Sequence, residues 1–144
     1  MHSIDVKHDI YKGFGYININ FLKNHEEVVA ERATSLLTYL ESIENYLVLP
    51  SILICNETHT IIDGHHRCWA LKQLGIKEAP VTFLNYSHPS IIPHLDDSLT
   101  KKEVIDAATT GILLKPKSSY HHVIDIYGDA KPLILLSSLS RCDR

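Results

Sequence analysis

Ile61-Ile62-Asp63-Gly64-His65-His66-Arg67-Cys68-Trp69-Ala70-Leu71 passes from a β-rich run into a helix with little more than one glycine between them. Ile61 and Ile62 are β-branched and suit a strand. Gly64 permits a tight turn. The helix that follows is predicted from His65 to Leu74, with Gly75 as its C-terminal stop. Backbone N–H groups at such a helix start lack intrahelical partners and attract an anion. His65, His66 and Arg67 add donors at the same place, and an arginine can grip two phosphate oxygens at once. Asp63 is positioned to hold Mg²⁺ or to orient a histidine. The pattern reads as a phosphate site. A capped helix after a hairpin, with surface histidines, is the plain alternative.

Working outward, Ser51–Cys55 and Thr60–Ile62 are β-rich runs separated by Asn56-Glu57-Thr58-His59, which predicts a hairpin. Upstream, Val29, Ala33, Leu36, Leu37, Leu40 and Ile43 fall three or four apart and predict a helix over 26–45. Asn24 would cap it, Glu26 and Glu27 would stand in its first turn, and Pro50 ends the region. The alternation of 16–21 predicts a strand. Downstream, 80–84 reads as a strand and 88–93 as a loop. Thr100 and Glu103 form a capping box for a helix to about Thr109, which Gly111 stops. Lys115 to His122 is a basic, hydroxyl-rich loop, and 123–126 and 133–136 read as closing strands. Mixed strands and helices with a hairpin before the central motif predict a small α+β domain over 1–144, a mixed sheet with helices packed around it.

Composition narrows the function. At 144 residues the chain has the length of one domain. With 44% hydrophobic and 22% charged residues it is ordinary globular material, which excludes disordered and low-complexity classes. No apolar run approaches the roughly 18 residues of a membrane span, and residues 1–9 mix charge and polarity without a signal-peptide core. A cytoplasmic protein without membrane partners is expected. A net charge of −3 argues against nucleic acid as partner, because phosphate neutralisation needs a surplus of Lys and Arg. Three cysteines without a CxxC spacing argue against disulfides and a cysteine zinc site. The neighbouring pairs His65/His66 and His121/His122 are poor chelates, since adjacent helical residues point about 100° apart. Cys68 and Trp69 read as core, and Tyr46, Tyr86 and Tyr127 as half-buried packing residues.

Five elements in order resemble the ParB/sulfiredoxin superfamily, and within it the branch of free L-serine kinases. They are Leu22-Lys23-Asn24-His25-Glu26, the Asp63-Gly64-His65-His66-Arg67 core with its Ala70-Leu71-Lys72-Gln73-Leu74-Gly75 tail, Pro80-Val81, Leu99-Thr100-Lys101-Lys102-Glu103-Val104, and Pro116-Lys117-Ser118-Ser119-Tyr120-His121. The resemblance covers most of the chain, from Leu22 to about His121. It implies transfer of phosphate from a nucleotide, ATP or ADP, to the hydroxyl of free L-serine or a similar small hydroxy-amino acid, with Mg²⁺. By that resemblance Glu26 is the base, with Asp63 and His66 beside it in the catalytic set and Asp63 as the metal ligand. Gly64, His65, His66, Arg67, Lys117, Ser118, Ser119 and His121 hold the nucleotide phosphates. A homodimer is compatible with these residues. Sulfiredoxin-type reductase chemistry fails on its nucleophile, because the position before the His-Arg pair is His65 and Cys68 follows the arginine.

Two positions depart from the branch. Tyr120 stands where the late loop often has Arg, and residues 86–98 lack the Trp that shapes the serine pocket. The rival reading is a ParB-like nucleotide-binding regulatory module without phosphotransfer. The residues themselves supply what phosphoryl transfer needs: a carboxylate to take a hydroxyl proton and two anion-binding loops to clamp the transferring group.

Overall fold

A computed structural model describes residues 4–143. Met1–Ser3, part of the stretch read against a signal peptide, and Arg144 lie outside the described residues. The elements are, in order, β1 (Tyr11–Asn18), α1 (Ala30–Glu41), β2 (Tyr46–Pro50), β3 (Ile52–Cys55), β4 (Ile61–Asp63), α2 (His65–Gln73), β5 (Glu78–Leu84), β6 (Ile91–Ile92), α3 (Lys101–Thr110), β7 (His122–Ile124), β8 (Ala130–Pro132) and β9 (Leu139–Asp143). The main sheet has the order β1-β5-β3-β4. β3 and β5 run parallel, while β1 with β5 and β3 with β4 run antiparallel. The mixed sheet and its helices make an α+β fold.

β3 shows how the layers form. Successive side chains of a strand face opposite sides, and all four of its residues are buried. Ile52 and Ile54 therefore join Leu40 of α1, Leu71 of α2 and Val81 of β5 in one core. Leu53 and Cys55 join Leu84 of β5, Val104 of α3 and Val123 of β7 in a second. The antiparallel ribbon β6-β7-β8 closes the second side, and β2 with β9 flanks the first. Cys68 is buried and Trp69 packs partly buried against the first core, as expected. Among the described residues no helix is long and apolar enough to cross a membrane.

Several boundaries differ from expectation. The first helix begins at Ala30 rather than residue 26, and its N-cap is Val29 with no side-chain cap, so neither Asn24 nor Glu26 serves the helix start. The N–H groups of residues 25, 27 and 29 are spent on partners elsewhere in the fold, which holds this segment extended. The first strand is Tyr11–Asn18, not 16–21; the Asn18 side chain accepts from the Asn20 N–H and turns the chain into a 3-10 turn at Ile19–Phe21. Residues 133–136 form a 3-10 turn rather than a strand, with Leu133 and Leu136 buried three apart on one side. The paired strands β2 and β9 have no counterpart in the expectations. Tyr86 is buried, whereas Tyr127 is 75% exposed. The hairpin β3–β4, the helix α2 and the Thr100–Glu103 capping box of α3 stand as expected.

Gly64 joins β4 to α2 with φ +121°, where L side chains are strained. A Cβ there would come within 2.9 Å of Arg67 Nη2 and 3.1 Å of Ile52 Cγ2. Gly64→Ala is therefore expected to lower stability by about 1–3 kcal/mol. Urea unfolding measures this, and an unchanged midpoint would show that the turn tolerates a side chain.

Candidate active site

Glu26 sits on an extended segment, residues 23–29, threaded between two parts of the fold. On one side Lys23 bridges to Thr60, with the Lys23 N–H donating to the His59 carbonyl and the Ile61 N–H to the Lys23 carbonyl. On the other side Glu26 bridges to Leu114: the Glu27 N–H donates to the Leu114 carbonyl and the Leu114 N–H to the His25 carbonyl. The late loop leaves directly from Leu114. Ser119 returns to Glu26 and donates its hydroxyl to Oε1 at 2.5 Å.

His25 locks this arrangement. Its ring is fully buried, and Nδ1 donates to the Ile61 carbonyl at 2.6 Å. Nε2 is thereby directed at Ser119 Oγ, 3.0 Å away, and Glu26 Oε1, 3.3 Å away. Burial alone would raise the pKa of Glu26, but hydrogen bonds from His25 and Ser119 outweigh it and hold the carboxyl below its usual range. Glu26 is ionised at neutral pH.

The two histidines of the Asp-Gly-His-His-Arg core do something other than expected. His65 Nε2 accepts the His25 N–H at 3.1 Å, and His66 Nε2 accepts the Val29 N–H at 2.9 Å. They fasten both ends of the Glu26 segment to α2. An accepting Nε2 needs a neutral ring, and burial, as the largest cause, pushes both rings below the ordinary value of 6.5. His65 is thus an uncharged, buried ring. What it can offer an anion is the backbone N–H at the start of α2 and the proton on Nδ1.

These parts line one cavity of about 580 Å³, within the usual range for small-molecule sites. Asp63, Gly64, His65, His66 and Arg67 come from the β4–α2 junction, Lys117, Ser119 and His121 from the late loop, and Glu26 stands with them. Ser118 is not among the lining residues; its hydroxyl donates to the Lys115 carbonyl at 2.6 Å and closes the loop's turn. Lys117 takes φ +65°, a left-handed conformation uncommon outside glycine, where the loop reverses. Two groups in the cavity are short of partners among the described residues. Arg67 Nε is shielded from solvent and unbonded, and its Nη2 reaches only the carbonyls of Ser51 and Asp63. His121 Nδ1 is likewise buried and unbonded, while its Nε2 meets the Tyr86 hydroxyl at 2.7 Å. Burial holds the Tyr86 hydroxyl protonated and the His121 ring neutral. A half-buried guanidinium whose Nε is shielded and unbonded is costly unless an anion completes it.

Mg²⁺ needs oxygen ligands in octahedral array, mostly phosphates and waters with one or two carboxylates. Asp63 fits that demand: it is half-exposed in the cavity wall, and its carboxylate has no hydrogen-bond partner among the described residues. Donor atoms of His25, Glu26 and His65 lie within 4.8 Å of one another. However, His25 Nδ1 and His65 Nε2 are already bonded to backbone, and this nitrogen-rich set suits Mg²⁺ poorly.

Over 73 residues, 49% of this chain, the sequence is 34% identical to an ATP-dependent L-serine kinase of Desulfurococcus mucosus. Over 73 residues it is 33% identical to an ATP-dependent L-serine kinase of Staphylothermus marinus. The chain is a distant homologue of ATP-dependent L-serine kinases. The matched stretch is 28% and 29% of those relatives, so this chain spans less than a third of their length. No family model matches it. A free serine kinase solved with AMP shares the fold at a TM-score of 0.51 and 24% identity, over 65% of this chain and 38% of that one. A glutamate-to-alanine variant of a free serine kinase, solved with ADP, aligns equally well, with a TM-score of 0.51 and 23% identity over the same shares of the two chains.

Sequence reading missed four contributors as site residues: His25, Arg32, Tyr86 and His94. Arg32 of α1 and His94 line the cavity, and His94 Nδ1 lies 2.7 Å from Asp96 Oδ1. His25 was adjacent to the predicted base, yet no local pattern says that its ring turns inward. Tyr120 is 58% exposed, with its ring centroid 4.5 Å from that of His122.

The neutral histidines predict a pH dependence. Their folded pKa values lie below 6.5, so between those values and 6.5 the unfolded chain binds more protons than the native one. The stability they contribute is present above about pH 6.5 and is lost as pH falls through the folded values. Thermal melts should show Tm falling from about pH 7.5 to about pH 5, and a flat profile would overturn the assignment of neutral, accepting rings.

Proposed function

We propose that this chain is a nucleotide-dependent kinase acting on the hydroxyl of free L-serine or a similar small hydroxy-amino acid. The observation that carries this is one cavity holding an ionised carboxylate, Glu26, with two residues that each keep one buried nitrogen unbonded among the described residues, Arg67 at Nε and His121 at Nδ1. A base and an incomplete anion site together suit phosphoryl transfer, which is mainly positioning and charge stabilisation. The distant homology to ATP-dependent L-serine kinases supports the same reading.

In this mechanism the nucleotide phosphates lie over the start of α2, where Gly64 lets the backbone approach and the first-turn N–H groups face an anion. Arg67 grips phosphate oxygens, and Lys117 neutralises charge from the opposite loop. Asp63 would hold Mg²⁺, which would supply further neutralisation of phosphate charge. Glu26 takes the acceptor's hydroxyl proton as that oxygen attacks the terminal phosphorus. His25 and Ser119 keep the carboxylate oriented through the bonds described above. His66 positions Glu26 by holding Val29 and stands at the cavity wall.

Phosphorus NMR with Mg²⁺, L-serine and either ATP or ADP tests the reaction and distinguishes the donors. O-phosphoserine is the expected product. Glu26→Gln should slow turnover by about 100- to 10,000-fold, the range for a lost general base, while calorimetry finds nucleotide affinity nearly unchanged. Arg67→Ala should weaken nucleotide binding about 10- to 100-fold, since a charge-assisted hydrogen bond is worth roughly 1.5–3 kcal/mol. Nucleotide binding without product would move the reading to a nucleotide-binding regulatory module.

A further inference from the structure

Ser119 occupies the position that the reaction above requires of its acceptor. Its side chain carries the same primary alcohol as free serine. Its hydroxyl already donates to Oε1 of Glu26 at 2.5 Å, with His25 Nε2 3.0 Å from Ser119 Oγ itself. It is half-buried and lines the cavity together with Arg67 and Lys117, the groups assigned to phosphate. Neighbouring Ser118 provides an internal contrast. It too is a serine on this loop, but its hydroxyl is committed to the Lys115 carbonyl at 2.6 Å, and it does not line the cavity. Proximity and a bonded base are what turn a weakly acidic hydroxyl into a nucleophile. Of the two serines, only Ser119 has both.

We propose that Ser119 is a self-phosphorylation site, receiving the terminal phosphoryl group of an adenine nucleotide when no small acceptor is bound. The proposal rests on the phosphotransfer reading. In the step, a bond forms between Ser119 Oγ and the terminal phosphorus as the bridging P–O bond breaks. The hydroxyl proton passes to Glu26. The nucleotide leaves with one phosphate fewer and with the electron pair of the broken bond. The product carries close to two negative charges at neutral pH, in a cavity whose cations include Arg67 and Lys117. The phosphate would use the groups that a nucleotide needs, and Ser119 would no longer donate to Glu26. The modified chain would therefore be blocked toward a new nucleotide.

The test uses the wild-type chain with Mg²⁺ and ATP, or ADP in parallel, without serine. Intact mass and peptide mapping provide the readout. A second set with L-serine is followed by phosphorus NMR. A one-phosphate mass increase mapped to Ser119, and lost in Glu26→Gln, is the expected result. The mark on Ser119 without any O-phosphoserine would support this site while overturning free serine as the substrate. O-phosphoserine formed by a chain that stays unmarked in the absence of serine would overturn this site and leave the proposed function standing. A mark on Ser118, or one that persists in Glu26→Gln, would also overturn it, and neither product would overturn both. Mapping on the wild-type chain makes the assignment of the marked serine independent of whether the Glu26→Gln variant folds.

Discussion

The hydrogen bond from His25 Nδ1 to the Ile61 carbonyl is the contact on which the site depends. It fixes the tilt of a fully buried ring, so that Nε2 faces Glu26 and Ser119. Through this ring and its own backbone, His25 meets the β4 hairpin, α2 and the late loop together. Its N–H goes to His65, and its carbonyl accepts from Leu114. Each of these buried polar groups would cost about 1–3 kcal/mol if left unpaired. Three stretches distant in sequence, the Glu26 segment, the β4–α2 junction and the late loop, are thus held in one arrangement, and the carboxylate of Glu26 is placed by its neighbours rather than by its own backbone preferences.

Charge in the cavity is deliberately unbalanced. Glu26 is kept ionised by short hydrogen bonds despite its burial. Arg67 has no ion-pair partner among the described residues, and Asp63 acts on it only from beyond ion-pairing distance. Folding therefore leaves an anion-shaped deficit next to a working base. Such donors, fixed before a ligand arrives, need no reorganisation when charge develops. The histidines around them contribute as neutral struts. Converting His65 or His66 to a cation would cost a backbone hydrogen bond and add repulsion from its neighbours.

The sheet centre, α2 and α3 were readable from the sequence because their signals are local. β-branched runs flank a turn at 56–59, Gly64 and Gly75 bracket a helix, and Thr100 with Glu103 closes a capping box. The start of α1 was not readable, because its apolar stripe continues back to Val29 while the backbone there is claimed by His65, His66 and Leu114. β2 and β9 pair across almost a hundred residues and carry little local signal. Most of the expected site residues do share the cavity. Ser118 does not line it, and His65 and His66 use their Nε2 atoms for structure instead of phosphate.

By itself the sequence determined that a strand, a glycine turn and a helix start bring donors to one point, and that a carboxylate and a hydroxyl-rich loop accompany them. These follow from propensity, capping and glycine's freedom at positive φ, which act over a few residues. Only the tertiary structure decided that Glu26 faces those donors, that Ser119 rather than Ser118 meets it, and that His65, His66 and His121 are neutral. Those outcomes depend on long-range backbone bridges and on burial, and neither protonation state nor side-chain direction exists until distant segments pack.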